Sequence, residues 1–188
     1  MIAVLVIDMQ NAFFEEPALQ RRLDEVVAAC NSLTSAARQA EAHVLLVGTE
    51  HERDKSTWSL NMLDDDQGFI FRGSEQADFV PGLLTAELPR MAKTRDSAFM
   101  GTDLALRLRN WNVDTVILAG VSAHNCVAQT AADAFAHNIR VIYAADAIAT
   151  ENPESAEAIL RVLVREYRQR VLPLDEVLAL FQASELGT

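Results

Sequence analysis

The sequence predicts a three-layer α/β/α fold, in which a six-stranded, mainly parallel sheet carries helices on both faces. Three observations lead there. Short runs dominated by apolar residues, at 2–7, 44–47, 113–119 and 139–144, have the character of strands covered on both sides. Segments with helical spacing separate most of them. The alternation of strand and helix calls for crossover connections, which make the strands parallel and distribute the helices over the two faces.

Each element follows from its own residues. Residues 2–7 are uniformly apolar and form the first strand. Residues 18–41 place Leu23, Val26, Val27, Cys30, Leu33 and Ala37 on one face of a helix. Residues 44–47 form a second buried strand, closed by Gly48. The pattern then breaks from Thr49 to Arg90, where Gly68, Gly73, Pro81, Gly82 and Pro89 punctuate the chain and acidic residues cluster at 64–66. A segment this long without periodicity is expected to be a functional loop or lid. Residues 91–93 form a short third strand, and 102–110 a helix with Thr102 as N-cap. Residues 113–119 are strand four, 126–137 a helix and 139–144 strand five. A helix over 153–167 has Pro153 in its first turn. Residues 170–172 are a short sixth strand and 174–181 a final helix. The expected strand order is the doubly wound, Rossmann-like 3-2-1-4-5-6. With no internal repeat or linker, residues 1–188 are read as one domain.

Composition narrows the partners. The chain has 188 residues, enough for a substantial core. Half are hydrophobic and 23% are charged, as in a globular protein. A formal net charge of -11 argues against nucleic-acid backbones and anionic membranes. No apolar run approaches a membrane span. Residues 2–7 lack a basic flank and run into Asp8, so they read as a strand rather than a signal peptide. Cys30 and Cys126 lie far apart and make no disulfide framework, which fits a reducing, cytoplasmic compartment. Cys30 falls on the apolar helix face and reads as core.

Three polar residues stand at the carboxyl ends of predicted strands, where doubly wound sheets bind their ligands. Asp8 ends strand one, Lys93 ends strand three, and Cys126 follows strand four through the turn Gly120-Val121-Ser122-Ala123-His124-Asn125. A cysteine opening a helix sits where unpaired N–H groups and the helix dipole favour an anion, so a thiolate is expected. Asp8 can take the thiol proton and return it to a leaving amine, and Lys93 can hold the two anions together. Backbone N–H groups of the turn can face a developing oxyanion.

These residues lie in four stretches that together resemble the isochorismatase-like cysteine hydrolases, which include nicotinamidases and N-carbamoylsarcosine amidohydrolases. Val4-Leu5-Val6-Ile7-Asp8-Met9-Gln10-Asn11-Ala12-Phe13 resembles the first strand with its catalytic aspartate. Lys93-Thr94-Arg95-Asp96-Ser97-Ala98-Phe99 resembles the catalytic-lysine motif. Gly120-Val121-Ser122-Ala123-His124-Asn125-Cys126-Val127 resembles the nucleophile motif, and Ala131-Ala132-Asp133-Ala134 with Asp146-Ala147 its trailing signature. The resemblance implies Cys126 as nucleophile, Asp8 as base and Lys93 as electrostatic partner. It also implies a cis peptide between Val121 and Ser122, with the N–H groups of Ser122 and Cys126 forming the oxyanion hole. The implied reaction is hydrolysis of a C–N bond in a small amide, ureide or lactam. The implied assembly is a homo-oligomer, a dimer or tetramer, with Trp111 and the C-terminal helix as interface elements.

Departures from the pattern shape the remaining expectations. Nicotinamidases bind a metal through an aspartate and histidines after strand two. Here residues 49–58 hold one histidine, His51, so no metal and no other cofactor is expected, and nicotinamide is disfavoured. Asp96 stands where relatives commonly have an aromatic. Gln10, Phe13, Trp58, Phe99 and Asn125 are the candidate substrate-binding residues, Gln10 more as a support than as a contact. Two other readings stay open: an enol-ether hydrolase acting on isochorismate, which the presence of the cysteine disfavours, and a binding protein that kept the fold and lost the chemistry.

Overall fold

The central strand, β1 (Ile2–Ile7), is buried on both faces, and its alternating side chains enter two separate cores. A computed structural model describes residues 1–185. β1 lies between β2 (His43–Thr49) and β4 (Thr115–Gly120); β3 (Arg90–Lys93) flanks β2, and β5 (Arg140–Ile148) and β6 (Arg170–Leu172) continue beyond β4. The order is β3-β2-β1-β4-β5-β6, as expected, and every pairing is parallel rather than most of them.

Val4 and Val6 face one core, with Val26, Cys30 and Leu33 of α2 (Leu23–Gln39) and Val177 and Phe181 of α7 (Leu174–Glu185). Ala3, Leu5 and Ile7 face the other, with Leu104 and Leu108 of α4 (Leu104–Asn110), Ala128 and Ala131 of α5 (Ala128–Ala136) and Leu163 of α6 (Pro153–Tyr167). Complete burial of a Val or Leu side chain contributes about 1.5–3 kcal/mol, so these two cores dominate the stabilisation. Trp111 stacks on His43 at 4.5 Å between ring centroids. Val177 and Phe181 of the C-terminal helix are buried in the core on the opposite face of the sheet. Among the described residues no helix is long and apolar enough to cross a membrane.

Two elements depart from the sequence reading. The helix expected over 18–41 is split into α1 (Pro17–Gln20) and α2, with Arg21 and Arg22 between them; Pro17 occupies the first turn of α1, where its missing N–H costs nothing. The region expected as a functional loop or lid carries short helical turns of its own and buried side chains. It contains α3 (Leu60–Asp64) and a 3₁₀ turn, Glu75–Ala77, and buries Trp58, Met62, Ile70 and Val80. Its apolar residues are spaced by turns rather than by a helix or strand period, so no local pattern revealed them.

Where the strand order reverses, β1 and β4 approach closely. Gly120 has φ of 108°, and a Cβ there would lie 1.8 Å from the carbonyl oxygen of Ile7. No side chain fits, and only glycine adopts this backbone easily. The register then sets Ile7 beside both Val47 and Gly120, and Thr49 beside Lys93. The residues that end or follow β1, β2, β3 and β4 are thereby gathered at one edge of the sheet.

Candidate active site

Asp8 leaves β1 with a left-handed backbone, φ 53°, which Asp tolerates better than most residues. Its N–H still donates to the Val47 carbonyl at 2.8 Å, so the carboxylate is anchored at the end of the strand. Lys93 is the last residue of β3. Its Nζ lies 2.8 Å from Asp8 Oδ2, with the two side chains 1% and 0% exposed. The same ammonium donates to Thr49 Oγ1 at 2.7 Å, to the Arg95 carbonyl at 3.2 Å and to Cys126 Sγ at 3.3 Å. Three donor positions are thus directed elsewhere, and the contact with Asp8 Oδ2 is one of charge. Oδ2 is buried without a hydrogen bond of its own.

Thr49 was not singled out by its sequence context. Its hydroxyl accepts from Lys93 and donates to Asp8 Oδ1 at 3.0 Å, bridging the two charges. The signal lay in register rather than in composition: Thr49 closes the apolar run of β2 directly opposite Lys93.

Cys126 differs from expectation in two respects. It lies within a single π-helical turn, Ala123–Val127, that precedes α5, rather than opening the α-helix. It is also held as a thiol. Burial pushes its pKa well above the ordinary value, Asp8 adds to the rise, Lys93 opposes it, and Asp96 pushes it up again. A helix terminus contributes a partial charge at best, and it does not offset the removal of an ionised sulfur from water. Burial would by itself push Lys93 down, but the charges of Asp8 and Cys126 outweigh it and the ammonium titrates above its usual range. The two shifts favour the charged form of Lys93 and the protonated form of Cys126.

The ionisation state has a direct test. The thiolate is the reactive form, and with a raised pKa its fraction grows about tenfold per pH unit over the whole accessible range. Alkylation of Cys126 by iodoacetamide is expected to accelerate from pH 7 to 9 without levelling. A plateau below pH 8 would mean a thiolate already populated at rest. Cys30, buried in the core with its thiol pushed up to about 12, is expected to label only on unfolding.

The segment after Lys93 is fastened to α5. Ser97 Oγ donates to Asp133 Oδ2 at 2.5 Å, and the Ala98 N–H donates to Thr130 Oγ1 at 3.0 Å. Both contacts join the loop after Lys93 to the helix that follows Cys126, which keeps the two in fixed relation. Around the turn, the Val121–Ser122 peptide is cis. The Ser122 hydroxyl donates to Glu151, and His124 lies 2.8 Å from Thr150 Oγ1 through Nδ1 and 3.7 Å from Glu151 through Nε2.

The family model described as Isochorismatase domain matches residues 2–172. The chain belongs to the isochorismatase family. It is 34% identical over 168 residues to a probable inactive nicotinamidase of Arabidopsis thaliana, covering 84% of this chain and 86% of that protein. It superimposes on an isochorismatase family protein from Desulfovibrio vulgaris with a TM-score of 0.82 at 32% identity, over 95% of this chain and 98% of that one. It also resembles the N-carbamoylsarcosine amidase of Thermoplasma acidophilum, with a TM-score of 0.78 at 26% identity over 93% of this chain and 96% of that one.

In this isochorismatase-family protein the expected pocket residues have divergent positions. Gln10 is 1% exposed, and its amide donates to the carbonyls of Thr49 at 2.9 Å and Ala77 at 2.8 Å while accepting from the Thr49 N–H at 2.7 Å. With these polar groups committed to backbone, Gln10 braces the end of β2. Phe13 is half-buried against the α2 and α7 core. Trp58 is buried, donates to the Glu52 carbonyl at 2.9 Å, and packs near Phe71. Arg95 reaches across to the carbonyls of Thr57 at 2.9 Å and Trp58 at 3.3 Å, tying that loop to the lysine segment. Phe99 is buried in the same core as Cys126 and stacks on His137 at 4.8 Å. Asn125 is exposed beside the nucleophile. His51 is buried, with Nδ1 2.9 Å from the Thr57 carbonyl. Burial lowers its pKa, the Thr57 bond opposes, and the positive charges of Arg95 and Lys93 lower it further, so it is held neutral. Among the described residues no group of three His, Cys, Asp or Glu side chains is placed to hold a metal.

Proposed function

We propose that the protein is a cysteine hydrolase that cleaves the C–N bond of a small amide, ureide or lactam, with Cys126 as nucleophile, Asp8 as general base and Lys93 as electrostatic partner. The observation that carries this reading is the position of Lys93 Nζ, 2.8 Å from Asp8 Oδ2 and 3.3 Å from Cys126 Sγ. Such an arrangement lets a neutral thiol lose its proton to a carboxylate only when an electrophile is in place.

As Sγ attacks the carbonyl carbon, the S–C bond forms, the thiol proton passes to Asp8 and the carbonyl electron pair moves onto oxygen. The N–H groups of Ser122 and Cys126 face that oxygen in this reading. The Ser122 N–H is buried and makes no hydrogen bond among the described residues, which suits it to the role. Each such donor is typically worth roughly 3–4 kcal/mol in the transition state. The intermediate then collapses, the C–N bond breaks, and Asp8 returns the proton to the leaving nitrogen. Water, deprotonated by Asp8, attacks the thioester; the acid departs and the sulfur regains its proton. Lys93 remains charged throughout and limits the cost of two adjacent anions.

A panel of small amides and ureides, followed by ammonia release and by mass analysis of rapidly quenched protein, tests the proposal. The expected result is an acyl adduct on Cys126 with a substrate that releases ammonia. Turnover without any adduct on this cysteine under slow-substrate conditions would point to another mechanism. The probable inactive status of the Arabidopsis relative favours one second reading, a binding protein without chemistry; tight binding of panel members with neither ammonia nor adduct would support it.

A further inference from the structure

We infer that Asp96 selects a substrate carrying positive charge beside the scissile carbonyl, so that a small cationic amide is the preferred class. The inference rests on Cys126 being the attacking atom. Asp96 Oδ1 lies 4.0 Å from Cys126 Sγ, and Asp96 is exposed at the site. Among the described residues its carboxylate has no ion pair and no hydrogen-bond partner except the thiol.

The neighbouring cations are all committed. Lys93 faces Asp8, Thr49 and the sulfur. The Arg95 guanidinium, one residue away in sequence, is directed to the carbonyls of Thr57, Thr94 and Trp58. His124 is engaged with Thr150 and Glu151. Glu151 adds a second carboxylate on the rim, bound to the Ser122 hydroxyl. The Asp8 and Lys93 charges cancel, and the Arg95 guanidinium is turned to backbone carbonyls rather than to Asp96, so the Asp96 carboxylate keeps an unpaired negative charge next to the sulfur.

An unpartnered carboxylate this close to a nucleophile is unfavourable for catalysis on neutral substrates, because it opposes ionisation of the sulfur. A cationic nitrogen roughly one or two bonds from the carbonyl carbon changes the balance. It reaches Asp96 when the carbonyl reaches Sγ, given a hydrogen-bond length of about 3 Å. It then supplies the missing counter-charge, attracts the substrate and relieves the repulsion at the moment of attack. Substrate binding itself would thereby activate the thiol.

Charged thiol reagents read this selection without a known substrate. Cys126 is treated at low salt with the cationic 2-aminoethyl, anionic 2-sulfonatoethyl and neutral methyl methanethiosulfonates. In each case the sulfur attacks the sulfenyl sulfur, a disulfide forms and methanesulfinate leaves. Rates are normalised to those of a free small thiol. The expected preference for cationic over anionic reagent is about tenfold or more, collapsing in Asp96→Asn and shrinking in high salt. The neutral reagent is expected to react faster with Asp96→Asn than with the native protein. A cation preference that is the same in both proteins would overturn the inference. The reagent test is independent of amide turnover: charge selection without an acyl adduct would leave a cation-selective site at Cys126 and remove the small cationic amide as its substrate.

Discussion

Replacing Cys126 with alanine is expected to lower amide turnover by roughly 10⁴-fold or more, with little change in stability. The magnitude follows from removing the atom that forms the covalent bond, after which only binding and the oxyanion donors remain. The small structural effect follows from the surroundings. The alanine methyl group would occupy part of the same buried space, and Lys93 would keep its contacts with Asp8, Thr49 and the Arg95 carbonyl. The loss of one small buried group at such a site is expected to cost about 1 kcal/mol. Steady-state ammonia release and a thermal melt check the two halves. Near-native turnover by the alanine variant would eliminate Cys126 as the nucleophile.

Lys93→Met is expected to damage both fold and activity. Methionine matches the length of lysine but carries no charge, so Asp8 would be left fully buried with only the Thr49 hydroxyl beside it. Breaking one partner of a buried ion pair typically costs about 3–5 kcal/mol, because the remaining charge is stranded. Urea unfolding should show this loss, and the double variant Asp8→Asn/Lys93→Met should recover much of it. Turnover should fall by roughly 10²-fold or more in the single variant, since nothing then compensates the two anions. Equal stabilities for the native protein, the single variant and the double variant would show that the pair is not the electrostatic unit described above.

The two predictions separate chemistry from support. Cys126 is expected to matter to the reaction and little to the fold, whereas Lys93 is expected to matter to both. Gln10 and Thr49 belong with Lys93, because their polar atoms hold strand ends and charges in place. The supporting role read for Gln10 takes its form from the fold, since proximity to Asp8 in sequence says nothing of which backbone groups need a partner. Burial of polar backbone at the junction of β2 with the 75–77 turn created that need, and only the folded chain contains the junction.

The strands were legible because each is encoded locally, and Asp8, Lys93 and Cys126 became candidates because they end or follow such strands and lie in stretches that resemble the motifs of the family. Apolar runs mark buried strands, and the polar residue that ends such a run falls at the ligand edge of a parallel sheet. The tertiary structure decided the rest. It set Thr49 between the two charges through strand register, packed the 50–89 region through contacts with no sequence period, and kept Cys126 protonated by enclosing it. Those properties depend on distances between remote segments and on the exclusion of water, and neither quantity is written in any short stretch of chain.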